Sequence, residues 1–243
     1  MKAFKFDGVN STSKGIKVGR NINISSAIPN VTQVKIPGRN GGLHYWDGSY
    51  QNRIITVDCY VIDNSIFDKI NSINEWLIKD AGYKEFQDVD DLSHFMLARA
   101  VNGVSHDIRA NILAPFELEF DAKPQRFLVS GKTEVTVNSG QNTIVNPTQY
   151  DSLPILKISA DARTEPIVFH IGDSKITFKG IYGSWEYDCE NDYMKIIDKS
   201  PDSENPSAIL DKKFTISSGS NAMYYDVPSL VSSFKIVPRW WEL

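Results

Sequence analysis

Residues 54–61 alternate between two kinds of side chain, and they read Ile54-Ile55-Thr56-Val57-Asp58-Cys59-Tyr60-Val61. Every odd-numbered position is apolar, and most of the residues are β-branched or aromatic. A period of two with such side chains is typical of a β-strand that buries one face. The stretch therefore predicts a strand in the core of a mainly β fold.

Residues 116–123 repeat this alternation with charged partners, in the order Phe116-Glu117-Leu118-Glu119-Phe120-Asp121-Ala122-Lys123. The pattern predicts a half-exposed antiparallel sheet, with one face in the core and one in water. A glycosidase needs two carboxyl groups that face each other across a sugar. Carboxylates in a row on one strand do not, so we interpret them as a solvated face.

One amphipathic helix is predicted near residues 65–81. Apolar residues fall on a single helical stripe, at Ile66, Phe67, Ile70, Ile73, Trp76 and Leu77. Ser65 and Asp68 have the spacing of a capping box, and Gly82 offers a C-terminal stop. Residues 88–100 are ambiguous between helix and strand, and we favour a turn followed by a strand from His94.

The second half of the chain has a different pattern. After residue 128, short β-branched segments recur at intervals of about 8–12 residues, with Gly, Asn, Asp, Ser and Pro between them. This spacing indicates a β-sandwich. We therefore expect two domains: an antiparallel β domain with one helix over residues 1–130, and a β-sandwich over residues 131–243.

Composition argues against several classes of function. The 243 residues carry a formal net charge of −4 and no run of Lys and Arg, so we expect no affinity for nucleic acid. The apolar runs are far shorter than the roughly 20 residues that span a bilayer, so we expect no membrane insertion. The alternating N-terminus favours a strand over a secretory signal, which predicts synthesis in a cytoplasm.

No catalytic or metal-binding motif is evident in the sequence. The glycine-rich residues 38–42 lack the pattern of a nucleotide-binding loop, and Asn40-Gly41 and Asp47-Gly48 instead predict tight turns. No histidine pair has i, i+4 spacing, and Cys59 and Cys189 lie far apart. We expect a protein that is not an enzyme and that needs no metal or cofactor.

Five segments carry a resemblance to a known family. They are Ile36-Pro37-Gly38-Arg39-Asn40-Gly41-Gly42-Leu43, the helix ending in Trp76-Leu77, Phe120-Asp121-Ala122-Lys123-Pro124-Gln125-Arg126-Phe127, Asn146-Pro147-Thr148 with the following residues 153–158, and Pro238-Arg239-Trp240-Trp241-Glu242-Leu243. In this order and spacing they resemble the distal tail proteins of long-tailed phages. The resemblance covers nearly the whole chain.

The resemblance implies a structural role at the tip of a phage tail. It implies a galectin-like or carbohydrate-module-like second domain and a hexameric ring that joins the tail tube to the host-adsorption apparatus. The implied partners are further copies of the chain, the tail tube protein, a tail-associated tip protein and a receptor-binding protein. The implied location is the virion tail tip, with the host cytoplasm during assembly.

Aromatic and arginine side chains are the candidate contact residues. Tyr45, Trp46 and Tyr50 crowd a hairpin predicted over residues 38–53, and Trp, Tyr and Arg are favoured at interface hot spots. We expect this hairpin to contact a neighbouring subunit. Arg39 or Arg53 would fix the turn or pair with an acidic neighbour.

Tryptophans of the second domain support a rival function. Trp185, Trp240 and Trp241 are candidate contacts for a partner protein or a glycan, so the alternative is a carbohydrate-binding module that recognises the host surface. We also expect Trp240 and Trp241 to lie in a strand that continues through Pro238, at a sheet edge or a bulge, with one indole in the core.

Overall fold

The structure is a computed structural model, and it describes residues 2–104, 112–198, 206–210 and 212–243. The chain divides into two compact units, Met1–Arg126 with Leu243, and Phe127–Glu242. Within the described residues there is one α-helix, and the other regular elements are strands and short 3-10 turns. The predicted mainly β fold class is confirmed.

The first unit contains nine strands and the helix. In chain order they are β1 (Phe4–Phe6), β2 (Val9–Asn10), β3 (Ile16–Ile24), β4 (Pro29–Lys35), β5 (Gly42–Tyr50), β6 (Arg53–Ile62), α1 (Ile66–Ile78), β7 (Lys84–Asp88), β8 (His94–Ala100) and β9 (Leu113–Leu128), whose last two residues belong to the second unit. Seven of the strands form one sheet in the order β2-β1-β7-β8-β9-β6-β3. The strand predicted from His94 is confirmed.

The pairing of β6 with β9 organises the core of this unit. The two strands are antiparallel over ten residue pairs, from Arg53↔Ala122 to Ile62↔Leu113. In this register the odd-numbered apolar residues 55–61 of β6 and the even-numbered apolar residues 114–122 of β9 point to the same side of the sheet, where they are buried. The helix covers that side with its buried stripe of Ile66, Ile70, Ile73 and Leu77.

The helix is shorter than predicted, and its N-terminal cap is different. Ser65 makes no side-chain capping bond, so the predicted capping box is wrong. The Ser65 N–H donates instead to the Asp63 carboxylate at 2.8 Å. At the other end, the Asp80 carboxylate accepts from the Gly82 N–H at 2.9 Å. Such a local side-chain bond offers the backbone a turn in place of another helical residue.

The second unit contains eleven further strands. They are β10 (Val135–Thr136), β11 (Asn142–Asn146), β12 (Ile155–Ala162), β13 (Ile167–Ile171), β14 (Ser174–Lys179), β15 (Ile181–Asp188), β16 (Tyr193–Ile196), β17 (Ser207–Leu210), β18 (Gly219–Tyr225), β19 (Val231–Val237) and β20 (Trp241–Glu242). Two five-stranded sheets form, in the orders β10-β19-β12-β15-β16 and β11-β18-β13-β14-β17. Their inner faces share one core, in which the rings of Phe169 and Phe234, from opposite sheets, lie 4.4 Å apart. This arrangement is a β-sandwich.

The C-terminal residues interrupt the expected strand. β19 ends at Val237 and lies between β10 and β12, and a separate strand begins at Trp241, so the prediction that one strand continues through Pro238, at an edge or a bulge, is wrong. Pro238 lacks an N–H, and Arg239 adopts a positive φ of 60°, so the chain turns before β20. The Arg239 guanidinium donates to Asp188 at 2.7 Å and also to Glu190.

The turn sends the two adjacent indoles into different environments. Trp240 is only 6% exposed and belongs to the sandwich core. Trp241 is half-buried, stacks on Tyr150 at 4.4 Å between ring centroids, and donates its indole N–H to the Asp151 carbonyl oxygen at 3.0 Å. One indole is therefore in the core, as expected.

The different environments of Trp240 and Trp241 predict that replacing each with alanine lowers the free energy of unfolding by different amounts. We expect Trp240→Ala to lower the free energy of unfolding by about 3–5 kcal/mol, because it empties a large core volume. Trp241→Ala should cost clearly less, since it removes mainly a half-exposed stack worth about 0.5–1.5 kcal/mol. Urea denaturation of both variants measures the difference, and equal costs would contradict this account of the C-terminus.

Candidate interaction site on an exposed hairpin

A two-stranded hairpin stands apart from the large sheet of the first unit. β4 and β5 pair only with each other, as a separate sheet. At the base of the hairpin, the Gln51 N–H donates to the Ile28 carbonyl oxygen at 2.8 Å. No residue of β4 or β5 is buried. The hairpin is therefore exposed to solvent on both faces.

The pleat of the hairpin gives it one apolar face. Val34 pairs with Leu43, and Thr32 pairs with Tyr45, so these four side chains share a side. We call them the apolar hairpin face. All four are exposed, and the Tyr45 side chain is exposed to 65%. An isolated hairpin is at best marginally stable in water, and exposed apolar patches mark interaction sites.

The opposite face is more polar, and contacts within the hairpin hold its Trp46 side chain in place. There Gln33 pairs with His44, and Val31 pairs with Trp46. The Trp46 indole N–H donates to the Ser49 carbonyl oxygen at 2.8 Å, and its ring meets Tyr50 edge-on at 5.6 Å. The structure thus brings Trp46 and Tyr50 together, while Tyr45 projects from the other face.

Only one of the two predicted turns is the hairpin turn. The turn lies between β4 and β5, where Gly38 and Gly41 have φ values of 77° and 81°. Gly48 has a φ of 86° but lies within β5, so the tight turn predicted at Asp47-Gly48 is wrong. There the Asp47 carboxylate accepts from the Ser49 hydroxyl and N–H at 2.7 and 2.8 Å, which lowers the pKa of Asp47.

The two candidate arginines lie in different surroundings. Arg39 is exposed in the hairpin turn. Arg53 is buried, and its Nε donates to the Pro124 carbonyl oxygen at 3.0 Å. Burial, together with the nearby Arg126 charge, lowers the pKa of Arg53. Arg53 therefore ties β6 to β9 inside its own unit, and the prediction that it contacts a neighbouring subunit is not supported.

A polar cluster lies at the base of the hairpin, and no sequence pattern predicted it. Asn52 follows β5 and donates its side-chain amide to Asp121 at 2.7 Å and to the Tyr83 hydroxyl at 2.8 Å. Arg99 Nε donates to the other Asp121 oxygen at 2.9 Å. Burial alone would raise the pKa of Asp121, but these hydrogen bonds outweigh it, and the pKa is lowered. The cluster attaches the root of the hairpin to β9.

The candidate tryptophans of the second unit are engaged within the fold. Trp185 is 8% exposed, and its indole N–H donates to the Tyr182 carbonyl oxygen at 2.8 Å. Trp240 is in the core, and Trp241 stacks on Tyr150. A sugar stacks on an exposed aromatic face, so the positions of Trp185 and Trp240 do not support a glycan contact.

Two further kinds of functional feature are absent from the part of the chain that the structure describes. Within residues 2–104, 112–198, 206–210 and 212–243, no helix combines the length and apolar character needed to cross a membrane. In the same part of the chain, no three His, Cys, Asp or Glu side chains are grouped so that they could hold a metal ion.

Comparison with known proteins identifies the class of fold. No protein-family model and no curated protein sequence matches the chain. Among solved structures, the chain has the fold of a phage hub adsorption protein. The structure in question is that of SPP1 Dit (gp 19.1), described as a paradigm of the hub adsorption apparatus in Gram-positive infecting phages. The match covers 100% of both chains, with a TM-score of 0.63 and 12% sequence identity. The resemblance to distal tail proteins is thereby confirmed at the level of the fold.

The polar cluster predicts that two substitutions on β9, Asp121→Ala and Glu117→Ala, change the free energy of unfolding by different amounts. Asp121→Ala should lower the free energy of unfolding by about 1–3 kcal/mol at pH 7, because Arg99 and Asn52 lose their acceptor. Glu117→Ala is the matched control and should change it by about 0.5 kcal/mol or less. Because the folded-state pKa of Asp121 is lowered, its contribution is complete above the ordinary value of about 3.9 and is lost as the pH falls through the folded value. Urea denaturation at pH 7 and at pH 3 tests both statements, and a difference that persists unchanged at low pH would count against them.

Proposed function

We propose that this protein is a structural component of a phage tail tip, where six copies form a ring that joins the tail tube to the host-adsorption apparatus. One observation carries the proposal. The chain has the fold of a hub protein along its whole length, and its apolar hairpin face is exposed to solvent. The partners we propose are further copies of the chain, the tail tube protein, a tip protein and a receptor-binding protein.

The apolar hairpin face supports contact between copies. Burial of a Val or Leu side chain contributes about 1.5–3 kcal/mol, so covering this face yields several kcal/mol per subunit. A hairpin that docks on a different surface of the next copy makes a head-to-tail contact. Head-to-tail contacts generate closed rings when the rotation between copies permits closure.

The charge of the chain is compatible with a channel through which DNA slides. Six copies at −4 each would carry −24 formal charges, which disfavours tight binding to a phosphate backbone. We propose that the ring has no affinity for DNA and that it resides at the virion tail tip after assembly in the host cytoplasm.

We further propose that the protein has no catalytic role and no cofactor. The acidic side chains of β9 support this, because Glu117 and Glu119 lie on one open sheet face and do not oppose each other across a cleft. The rival function, a carbohydrate-binding module, gains no support from the buried positions of Trp185 and Trp240.

The test of the ring compares substitutions on the two faces of the hairpin. We expect the wild-type chain to have the mass of six copies in light scattering and native mass spectrometry. Leu43→Ser with Tyr45→Ser should reduce it to one copy, because the apolar hairpin face is lost. Both side chains are exposed, so the melting temperature of the monomer should hardly change.

The matched control alters the other face of the same two strands. Gln33→Ser with His44→Ser removes two exposed polar side chains, and this variant should assemble like the wild type. Normal assembly of the Leu43 and Tyr45 variant would show that the hairpin is the wrong surface. A wild-type protein that stays monomeric at high concentration, with no ring in micrographs of tail tips, would refute the ring itself.

A further inference from the structure

The sequence contains two Asn-Gly dipeptides, and the structure gives them different surroundings. They are Asn40-Gly41, in the turn of the hairpin, and Asn102-Gly103, just after β8. Both asparagines are exposed residues. Glycine has no side chain to hinder the approach of its own backbone nitrogen to the side-chain carbonyl carbon of the preceding asparagine. The contacts around each asparagine therefore decide whether that approach can occur.

The side chain of Asn102 is held at both ends of its amide. Its Nδ2 donates to the Glu117 carbonyl oxygen at 3.0 Å, and its Oδ1 accepts from the Glu119 N–H at 2.9 Å. Both partners are backbone groups of β9. Gly103 packs closely against the helix, since a Cβ at that position would lie 2.5 Å from Asn74 Oδ1. The Asn102 side chain cannot turn toward the Gly103 nitrogen without losing both hydrogen bonds.

The side chain of Asn40 has no such restraint. Asn40 lies in the turn between β4 and β5, and among the residues that the structure describes its side chain has no hydrogen-bond partner. Gly41 has a φ of 81°, and a Cβ added there would have nothing within 4 Å. The space around this dipeptide is open, so the Asn40 side chain can approach the Gly41 nitrogen without breaking a hydrogen bond of its own.

We propose that Asn40 is a site of spontaneous deamidation in the folded protein and that Asn102 is protected from it. The Gly41 backbone nitrogen attacks the Asn40 side-chain carbonyl carbon, and the side-chain nitrogen leaves as ammonia with the proton of the Gly41 N–H. Water then opens the resulting succinimide ring. Breaking the bond from nitrogen to the side-chain carbon gives aspartate, and breaking the bond to the main-chain carbon gives isoaspartate. This inference does not depend on the proposed ring.

The reaction changes the charge of the hairpin turn. Asn40 lines a depression of about 460 Å³ together with Lys35 and Arg39, so the new carboxylate would lie near two cations. Neither cation forms an ion pair with any residue that the structure describes. Residues 31–46 include no Asp or Glu, so the product introduces the first negative charge into this stretch. Anion-exchange chromatography should therefore separate modified chains from unmodified ones.

Peptide mapping of aged protein tests the modification. The full-length folded chain is incubated at mildly alkaline pH, where base removes the Gly41 N–H proton, and is then digested with pepsin at acidic pH, where the reaction is slow. Peptides with Asn40 should gain the mass difference between a hydroxyl and an amino group about tenfold faster, or more, than peptides with Asn102, because two hydrogen bonds must break at Asn102. Equal rates at the two sites, or no modification of Asn40, would overturn the proposal.

The same chain in concentrated urea provides the matched control. Unfolding removes the hydrogen bonds between Asn102 and β9, so the two dipeptides should then react at similar rates. If the difference between the sites persisted unchanged in urea, the local sequence and not the fold would set the rates, and the protection of Asn102 would be disproved.

A substitution in the turn identifies the source of the acidic species. Asn40→Gln lengthens the side chain, so the succinimide ring cannot form. Because position 40 is exposed, the variant should fold like the wild type, as thermal melting would show. The acidic species that appears in the aged wild type should be missing from this variant on anion exchange. An acidic species that forms at the wild-type rate would rule out Asn40 as its source.

Discussion

The antiparallel register between β6 and β9 is the constraint on which the first unit depends. Because side chains alternate along a strand, a shift of one residue would turn every core side chain toward water. In the observed register, one face of the ladder packs under the helix, and the other presents an apolar zone followed by an acidic zone. The same ladder places Asp121 beside Asn52, so it also holds the root of the hairpin.

A two-stranded hairpin has two faces and no interior. Val34, Leu43 and Tyr45 therefore cannot be buried by anything within β4 and β5. Apolar side chains held in an ordered strand gain free energy only when another surface covers them. Self-assembly would supply that surface in every copy at once, which is why we propose a ring rather than contact with an unrelated protein.

Two regions of the chain show how a local pattern is modified by its surroundings. The helix buries the predicted apolar stripe except for Phe67, which is exposed, and the carboxylates of Asp63 and Asp80 bond the backbone just outside its two ends. The C-terminal indoles are adjacent in sequence, yet the positive φ of Arg239 and its bonds to Asp188 and Glu190 give them different environments. In both regions, hydrogen bonds made by side chains, some to residues far away in the sequence, determine the local backbone path.

The sequence by itself determined the class of fold, the strand from His94, the buried stripe of the helix and the exposed hairpin turn, because these follow from local periodicity and turn chemistry. The five motifs also carried the resemblance that the full-length fold match supports. Only the tertiary structure decided which tryptophans are buried, that Arg53 bonds inward, and that Tyr45 and Trp46 project from opposite faces. These features depend on strand register and on partners up to about 70 positions away, such as Pro124 for Arg53, and no local pattern encodes such pairings.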